Sequence, residues 1–218
     1  MVKALLFDFD GTIVLSEKSR LWSLNKVLRE FGVEISENEW SSKYKRMNSH
    51  DVLLDIKKKQ NLDYDVEEIY NKAASFRSNY IDENGLMVAE GFFDFYENIK
   101  EKGIPHMICS GGTREHLNKC IKAVNLPEIE FVSREDYSNE KPFPDCYLEG
   151  LKRLGVNSSE VVVIDDTYYG MLAGIRAGCR VVGINCRDEG DVDTLPVNTV
   201  IDDFKDFDDE LLWKLGFR

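Results

Sequence analysis

Five short apolar runs recur at wide intervals along the chain: ALLFDF (4–9), GIPHMICS (103–110), IEFVS (129–133), VVVID (161–165) and RVVGIN (180–185). None alternates apolar with polar residues. Strands of this kind suit a parallel sheet whose two faces are both covered by helices. Helical stretches stand between them: residues 92–102, residues 113–124 with Leu117, Ile121 and Val124 on one side, and residues 145–154 with Leu148, Leu151 and Leu154 turned inward. Gly103, Gly155 and Gly178 follow helical runs, as C-terminal caps do. The alternation predicts an α/β fold built on a doubly wound, Rossmann-like parallel sheet.

Residues 16–84 break that rhythm. Leu21, Leu24, Leu28 and Phe31 repeat at helical spacing before Gly32, and Val66, Ile69, Ala73, Phe76 and Tyr80 form a second apolar stripe. SENE (36–39) and DVEE (65–68) have the form of capping boxes. No strand is expected here. The pattern predicts an all-helical domain (16–85) inserted into an α/β core (1–15 and 86–218), with seams near residues 15 and 86.

The chain has 218 residues, enough for a sizeable core with a subdomain. Its charge of −12 argues against a nucleic-acid partner. No apolar run approaches a membrane span, and MVKALLFDFDG is too short and too soon acidic for a signal peptide. Five scattered cysteines in no CxxC pair fit reduced thiols, and hence a cytoplasmic protein, better than disulfides or zinc. Cys109 and Cys179 adjoin apolar segments and read as small core hydrophobes.

In an open parallel sheet, ligands bind beyond the carboxyl ends of the strands. The first run ends in Asp8-Phe9-Asp10-Gly11-Thr12, the second in Ser110-Gly111-Gly112 with Thr113 placed to cap a helix, and the fourth in Asp165-Asp166-Thr167. Lys141-Pro142 follows the third. Three or more carboxylates, a hydroxyl and a lysine would therefore meet at one sheet edge. Clustered carboxylates repel unless they protonate or share a cation. A hard divalent ion, Mg²⁺ in particular, removes the conflict and commonly brings a phosphate with it. The lysine, the hydroxyl and the N–H groups of the glycine turns suit the phosphate's remaining oxygens. The structural alternatives are a plain turn at Asp8 and Asp10, a helix cap at Asp165 and Asp166, and a surface lysine at 141.

These motifs, in this order, resemble those of the haloacid dehalogenase superfamily of phosphotransferases, in the branch with a helical cap: DFDGT (8–12), Ser110 after HMIC, Lys141-Pro142, and VIDDTYYGMLAGIRAG (164–178). The resemblance covers nearly the whole chain and extends to β-phosphoglucomutase- and phosphoglycolate phosphatase-like enzymes. It implies Asp8 as a nucleophile that becomes an aspartyl phosphate, and Asp10 as general acid and then base. It implies Mg²⁺ held by Asp8, the main-chain carbonyl of Asp10 and Asp166, with Asp165 usually standing behind these ligands. Ser110, Gly111 and Lys141 would bind the phosphoryl oxygens. Phe9 is assigned to packing and Thr12 and Thr167 to turn and cap; His50, His106 and His116 match no family role and are read as structural.

The chain also departs from the family. Mutases of the β-phosphoglucomutase type use a cap arginine where this sequence has Ser49, although Arg46 is close by. Tyr168 and Tyr169 are unusual just after the acidic pair, as substrate-path or packing residues. Lys43, Lys45 and Arg46 form either a solvated helix face or a contact for an anionic substrate group. The implied activity is a Mg²⁺-dependent phosphatase for a small phosphorylated metabolite, with a sugar phosphate as the candidate substrate. A phosphosugar mutase is the enzymatic alternative, and a phosphometabolite-binding protein without turnover is the non-enzymatic one.

Overall fold

A computed structural model describes residues 1–45, 47–186 and 192–217. In chain order, strand β1 (Ala4–Phe7) and the two-residue β2 (Val14–Leu15) come first. Four helices follow: α1 (Glu17–Leu28), the short α2 (Glu37–Glu39) running into a π-helical turn over Trp40–Tyr44, α3 (Ser49–Gln60) and α4 (Val66–Asn84). The chain continues through β3 (Met87–Val88), α5 (Phe92–Glu101), β4 (His106–Cys109), α6 (Arg114–Ala123), β5 (Phe131–Val132) and α7 (Asp145–Leu154). It closes with β6 (Val161–Asp165), α8 (Tyr168–Arg176), β7 (Arg180–Ile184), β8 (Thr199–Ile201) and α9 (Asp209–Leu215). Two compact units result, Met1–Leu15 with Met87–Arg218, and Ser16–Leu86.

The larger unit holds a six-stranded sheet in the order β5-β4-β1-β6-β7-β8, parallel throughout. Leu6 of β1 pairs with Met107 on one side and Val163 on the other. Every residue of β1 and β6 is buried, as strands covered on both faces must be. Alternation along β1 divides the core. Ala4 and Leu6 join Met107, Cys109, Cys146, Tyr147, Leu151 and Met171 on one face. On the other, the Phe7 ring meets Phe92, Phe95 and Phe204 edge-on. His106 lies in this second layer against Phe7 and Tyr96, with Nδ1 2.8 Å from the Ile104 carbonyl.

Two details differ from the sequence expectation. Leu148 is 46% exposed, and the buried face of α7 is Cys146, Tyr147, Gly150 and Leu151. A Cβ at position 150 would stand 2.6 Å from the Cys109 sulfur, so the helix seats on the sheet through a glycine that an apolar stripe cannot register. Strand β8, a short edge strand with half-exposed Thr199 and Val200, also carries too little apolar sequence to be read. Where the chain leaves and re-enters this unit, β2 and β3 form an antiparallel ribbon, Val14 opposite Val88 and Leu15 opposite Met87.

The second unit is helical and, among its described residues, contains no strand. Leu24, Val27 and Leu28 pack with Trp40, Tyr44, Val52, Leu53, Ile56, Ile69 and Ala73 into its core. Asn48 and Asp65 cap α3 and α4 by accepting from the backbone N–H three residues on, and Ser36 does the same for α2. The Arg20 guanidinium lies over the Trp40 ring at 4.5 Å. Lys43 pairs with Asp55, which also accepts from the Tyr44 hydroxyl at 2.8 Å. Ser49 is the first residue of α3, and Arg46 lies outside the described residues. No described helix is long and apolar enough to cross a membrane.

Candidate active site

β1 lies between β4 and β6, so the segments leaving these three strands emerge side by side at the carboxyl edge of the sheet. The Asp8 N–H extends the β6 pairing by donating to the Ile164 carbonyl at 2.8 Å. The chain then turns tightly, with the N–H groups of Ile13 and Val14 both bonded to the Phe9 carbonyl and Gly11 at φ +96°. Phe9 points away into the core and is fully buried. Gly11 is required for a second reason. A Cβ at position 11 would lie 2.2 Å from Oδ2 of Asp166. The Thr12 hydroxyl meanwhile donates to Oδ1 of Asp166 at 2.9 Å, which ties the first turn to the end of β6.

Asp165 is fully buried and receives four hydrogen bonds. The Thr167 N–H and hydroxyl donate to Oδ1, each at 2.8 Å; Lys141 Nζ (2.8 Å) and the Tyr147 hydroxyl (2.5 Å) donate to Oδ2. Neither aspartate caps α8: Thr167 does, accepting from the Gly170 N–H at 3.1 Å. Gly170 is the counterpart of Gly11, since a Cβ there would lie 1.8 Å from Asp165 Oδ2.

Lys141 Nζ also reaches Asp8 Oδ1 at 2.5 Å, and both side chains are nearly buried. Burial pushes the Asp8 carboxyl up to about 7, with the Lys141 ammonium pulling it down and Asp165 pushing it up again. For Lys141, burial opposes the charge, but Asp165 and Asp8 outweigh it and hold the ammonium well above its ordinary range. Burial and then Asp165 likewise raise the Tyr147 phenol far up, so it remains an O–H donor.

Carboxylate oxygens of Asp8, Asp165 and Asp166 lie within 4.8 Å of one another, and all three residues are buried. The donors are hard oxygens, the type that suits Mg²⁺. With Asp165 already accepting four bonds, Asp8 and Asp166 are the carboxylates better able to take a cation. The close approach that Gly11 opens to Asp166 fits the same group.

Beyond β4, Ser110 is buried and its Oγ accepts from the Gly112 N–H at 2.9 Å. Its carbonyl accepts from the Tyr137 hydroxyl at 3.1 Å. Gly111 is exposed at the bend, and Gly112 lies against both neighbouring groups: a Cβ there would be 3.3 Å from Ser110 Oγ and 3.4 Å from Asp10 Oδ2. Thr113 caps α6, accepting from the His116 N–H. The fold thus assembles Asp8, Asp10, Ser110, Lys141, Asp165 and Asp166 at one edge.

A family model for haloacid dehalogenase-like hydrolases matches residues 5–184. The chain belongs to that family. Hexitol phosphatase A of Escherichia coli (strain K12) is 30% identical over 195 residues, spanning 84% of this chain and 83% of that protein. The phosphoglycolate phosphatase of Aquifex aeolicus is 27% identical over 184 residues, 82% of this chain and 83% of that one. In fold, the chain resembles a β-phosphoglucomutase from Clostridium difficile, with a TM-score of 0.82 at 20% identity, covering 99% of this chain and 97% of that one.

One neighbour of the site is a residue that the sequence reading leaves as structural. His116 Nε2 lies 3.0 Å from Asp10 Oδ1. Its only sequence signal is its place in the first turn of the helix that follows Ser110. Tyr147, buried beneath Asp165, was missed for a similar reason: its partner is 18 positions away on another element. Tyr169 is 40% exposed and Tyr168 partly so, their rings meeting edge-on.

Proposed function

We propose that the protein is a Mg²⁺-dependent phosphatase that hydrolyses a small phosphorylated metabolite through an aspartyl phosphate on Asp8. The observation that carries this reading is the buried contact of Lys141 with both Asp8 and Asp165 at the edge where Ser110 and Asp10 also converge. Asp8 Oδ is the nucleophile, held to one side by Lys141. Asp10 protonates the leaving alcohol and afterwards takes the proton of the attacking water. Ser110 Oγ, the Gly111 N–H and Lys141 hold the phosphoryl oxygens, where transition-state charge gathers.

Asp8, the Asp10 carbonyl and Asp166 are the residues that would hold Mg²⁺, which when bound supplies a positive charge between carboxylate and phosphate. Asp165 is the anchor behind them. Its four hydrogen bonds fix the position of Lys141, and Thr12 does the same for Asp166. The named phosphatase activities of the relatives support hydrolysis of a phosphate monoester. A mutase is less well supported, because Ser49 offers a hydroxyl where the mutase type has an arginine.

The test is release of inorganic phosphate from a panel of sugar, hexitol and glycerol phosphates in Mg²⁺. Turnover that disappears in Asp8→Asn and with EDTA is the expected result. Interconversion of hexose 1- and 6-phosphates without phosphate release would replace the phosphatase with a mutase.

A further inference from the structure

His116 belongs to none of the motifs that mark the family, yet its Nε2 lies 3.0 Å from Oδ1 and 3.1 Å from Oδ2 of Asp10. Near-equal distances to both oxygens set the imidazole edge against the whole carboxyl group, a contact that restrains rotation about the Asp10 side chain. Both side chains are largely enclosed, at 15% and 21% exposure.

Three features of the chain put the ring there. Thr113 Oγ1 accepts from the His116 N–H at 3.3 Å, which fixes the backbone of the first turn of α6. Gly112 leaves room for the approach: a Cβ at that position would be 3.0 Å from His116 Cδ2 as well as 3.4 Å from Asp10 Oδ2. One turn further on, the Cys120 sulfur packs against the ring, 3.6 Å from both Nδ1 and Nε2. The Asp10 oxygens that face Nε2 are acceptors, so the tautomer that meets them with a donor is the one carrying its proton on Nε2.

We propose that His116 is a positioning residue for Asp10: its Nε2–H holds the carboxyl group in the one orientation from which it can serve both halves of the reaction. The inference rests on the phosphatase reading above. In the first half, the Asp8 oxygen bonds to phosphorus as the bond to the leaving oxygen breaks, and the Asp10 proton passes to that oxygen. In the second, a water proton passes to Asp10 as the water oxygen bonds to phosphorus and the Asp8–phosphorus linkage breaks. His116 keeps its own proton throughout. Its contribution is orientation, which matters because small misplacements of an acid/base group are costly in rate.

The experiment compares leaving groups. Glycerol 1-phosphate and a hexitol phosphate release alkoxides that need a proton, whereas 4-nitrophenyl phosphate releases a phenolate that does not. In His116→Ala, kcat/KM for the alkyl esters falls ~10²-fold with KM little changed, while the aryl ester loses less than about fivefold. His116→Gln, which keeps an N–H donor, restores most of the alkyl activity and guards against a mere folding defect. Asp10→Asn shows the same selectivity in stronger form. Independently of turnover, ¹⁵N-imidazole spectra place the proton of His116 on Nε2, and its resonance shifts in Asp10→Asn.

Equal losses on alkyl and aryl esters, no loss at all, or a proton found on Nδ1 overturns the role of His116 while leaving the phosphatase standing. If Asp10→Asn retains full alkyl turnover, the acid/base reading fails and the inference fails with it. Absence of wild-type turnover on all three esters overturns both.

Discussion

The Tyr147 hydroxyl donates to Oδ2 of Asp165 at 2.5 Å, and neither residue has any surface exposed to solvent. A charge-assisted bond between two fully buried groups is among the stronger polar contacts a protein makes. Tyr147→Phe removes the donor without opening a cavity, leaving Asp165 with Lys141 and Thr167. The expected loss is about 1–3 kcal/mol of unfolding free energy. Urea unfolding measures it directly, and a difference below ~0.5 kcal/mol would show that the remaining donors compensate fully.

Gly11→Ala tests the approach of the first turn to Asp166. The new methyl group would occupy the position 2.2 Å from the carboxylate at a backbone φ of +96°, so the turn or Asp166 must move. The expected outcome is a protein with native circular dichroism whose Mg²⁺ requirement rises at least ~10-fold. A Mg²⁺ titration of phosphate release reads it, and an unchanged half-saturation would separate Gly11 from the metal site.

Asp136, in the turn beside the Ser110 segment, carries a pH signature of its own. Burial works against its charge, but the Ser133 N–H and hydroxyl, with Arg153, hold the carboxyl down at about 2. A folded value below the ordinary 3.8 means that its stabilisation is present above that pH and is lost as pH falls through about 2. Discounted for solvent screening, the effect is ~1 kcal/mol. Asp136→Asn therefore lowers the urea midpoint at pH 7, and the gap from wild type closes in strong acid. A gap that stays constant from pH 7 down to pH 2 contradicts this.

Two thiols of the core unit, Cys109 and Cys179, are expected to resist alkylation. Burial pushes Cys179 up to about 12, and Cys109, with burial again the main cause and Cys146 adding to it, is raised well above the ordinary thiol range. Iodoacetamide at pH 8 should leave both unlabelled in the native protein and label them in urea. Mass spectrometry of the modified peptides gives the answer, and rapid native labelling of Cys179 would refute its protection.

Much of this architecture was legible in the sequence because burial on both faces leaves an unmistakable pattern. VVVID coincides with β6, and Gly155 ends α7 in the left-handed conformation its position implied. What escaped shares a physical cause. Leu148 misled because α7 meets the sheet through Gly150, and a close contact made by a missing side chain has no hydrophobic signal. β8 escaped because an edge strand is half solvated and need not be apolar. At the site, the strand-end positions of Asp8, Asp10, Ser110, Asp165 and Asp166 could be read from topology alone. His116 and Tyr147 could not, because each acts on a carboxylate that only the folded chain brings near: Asp10 is 106 positions from His116.

The hydrogen bond from Thr12 to Asp166 joins positions 154 apart. The central strand β1 is synthesised before its two neighbours, β4 and β6, which follow only after the helical insert and then most of the core. Until then β1 presents two unpaired edges and four apolar side chains, the kind of segment on which nascent chains aggregate. Asp8 and Asp10, directly beyond it, place negative charge beside that segment, a gatekeeping role during synthesis before the same carboxylates meet their partners.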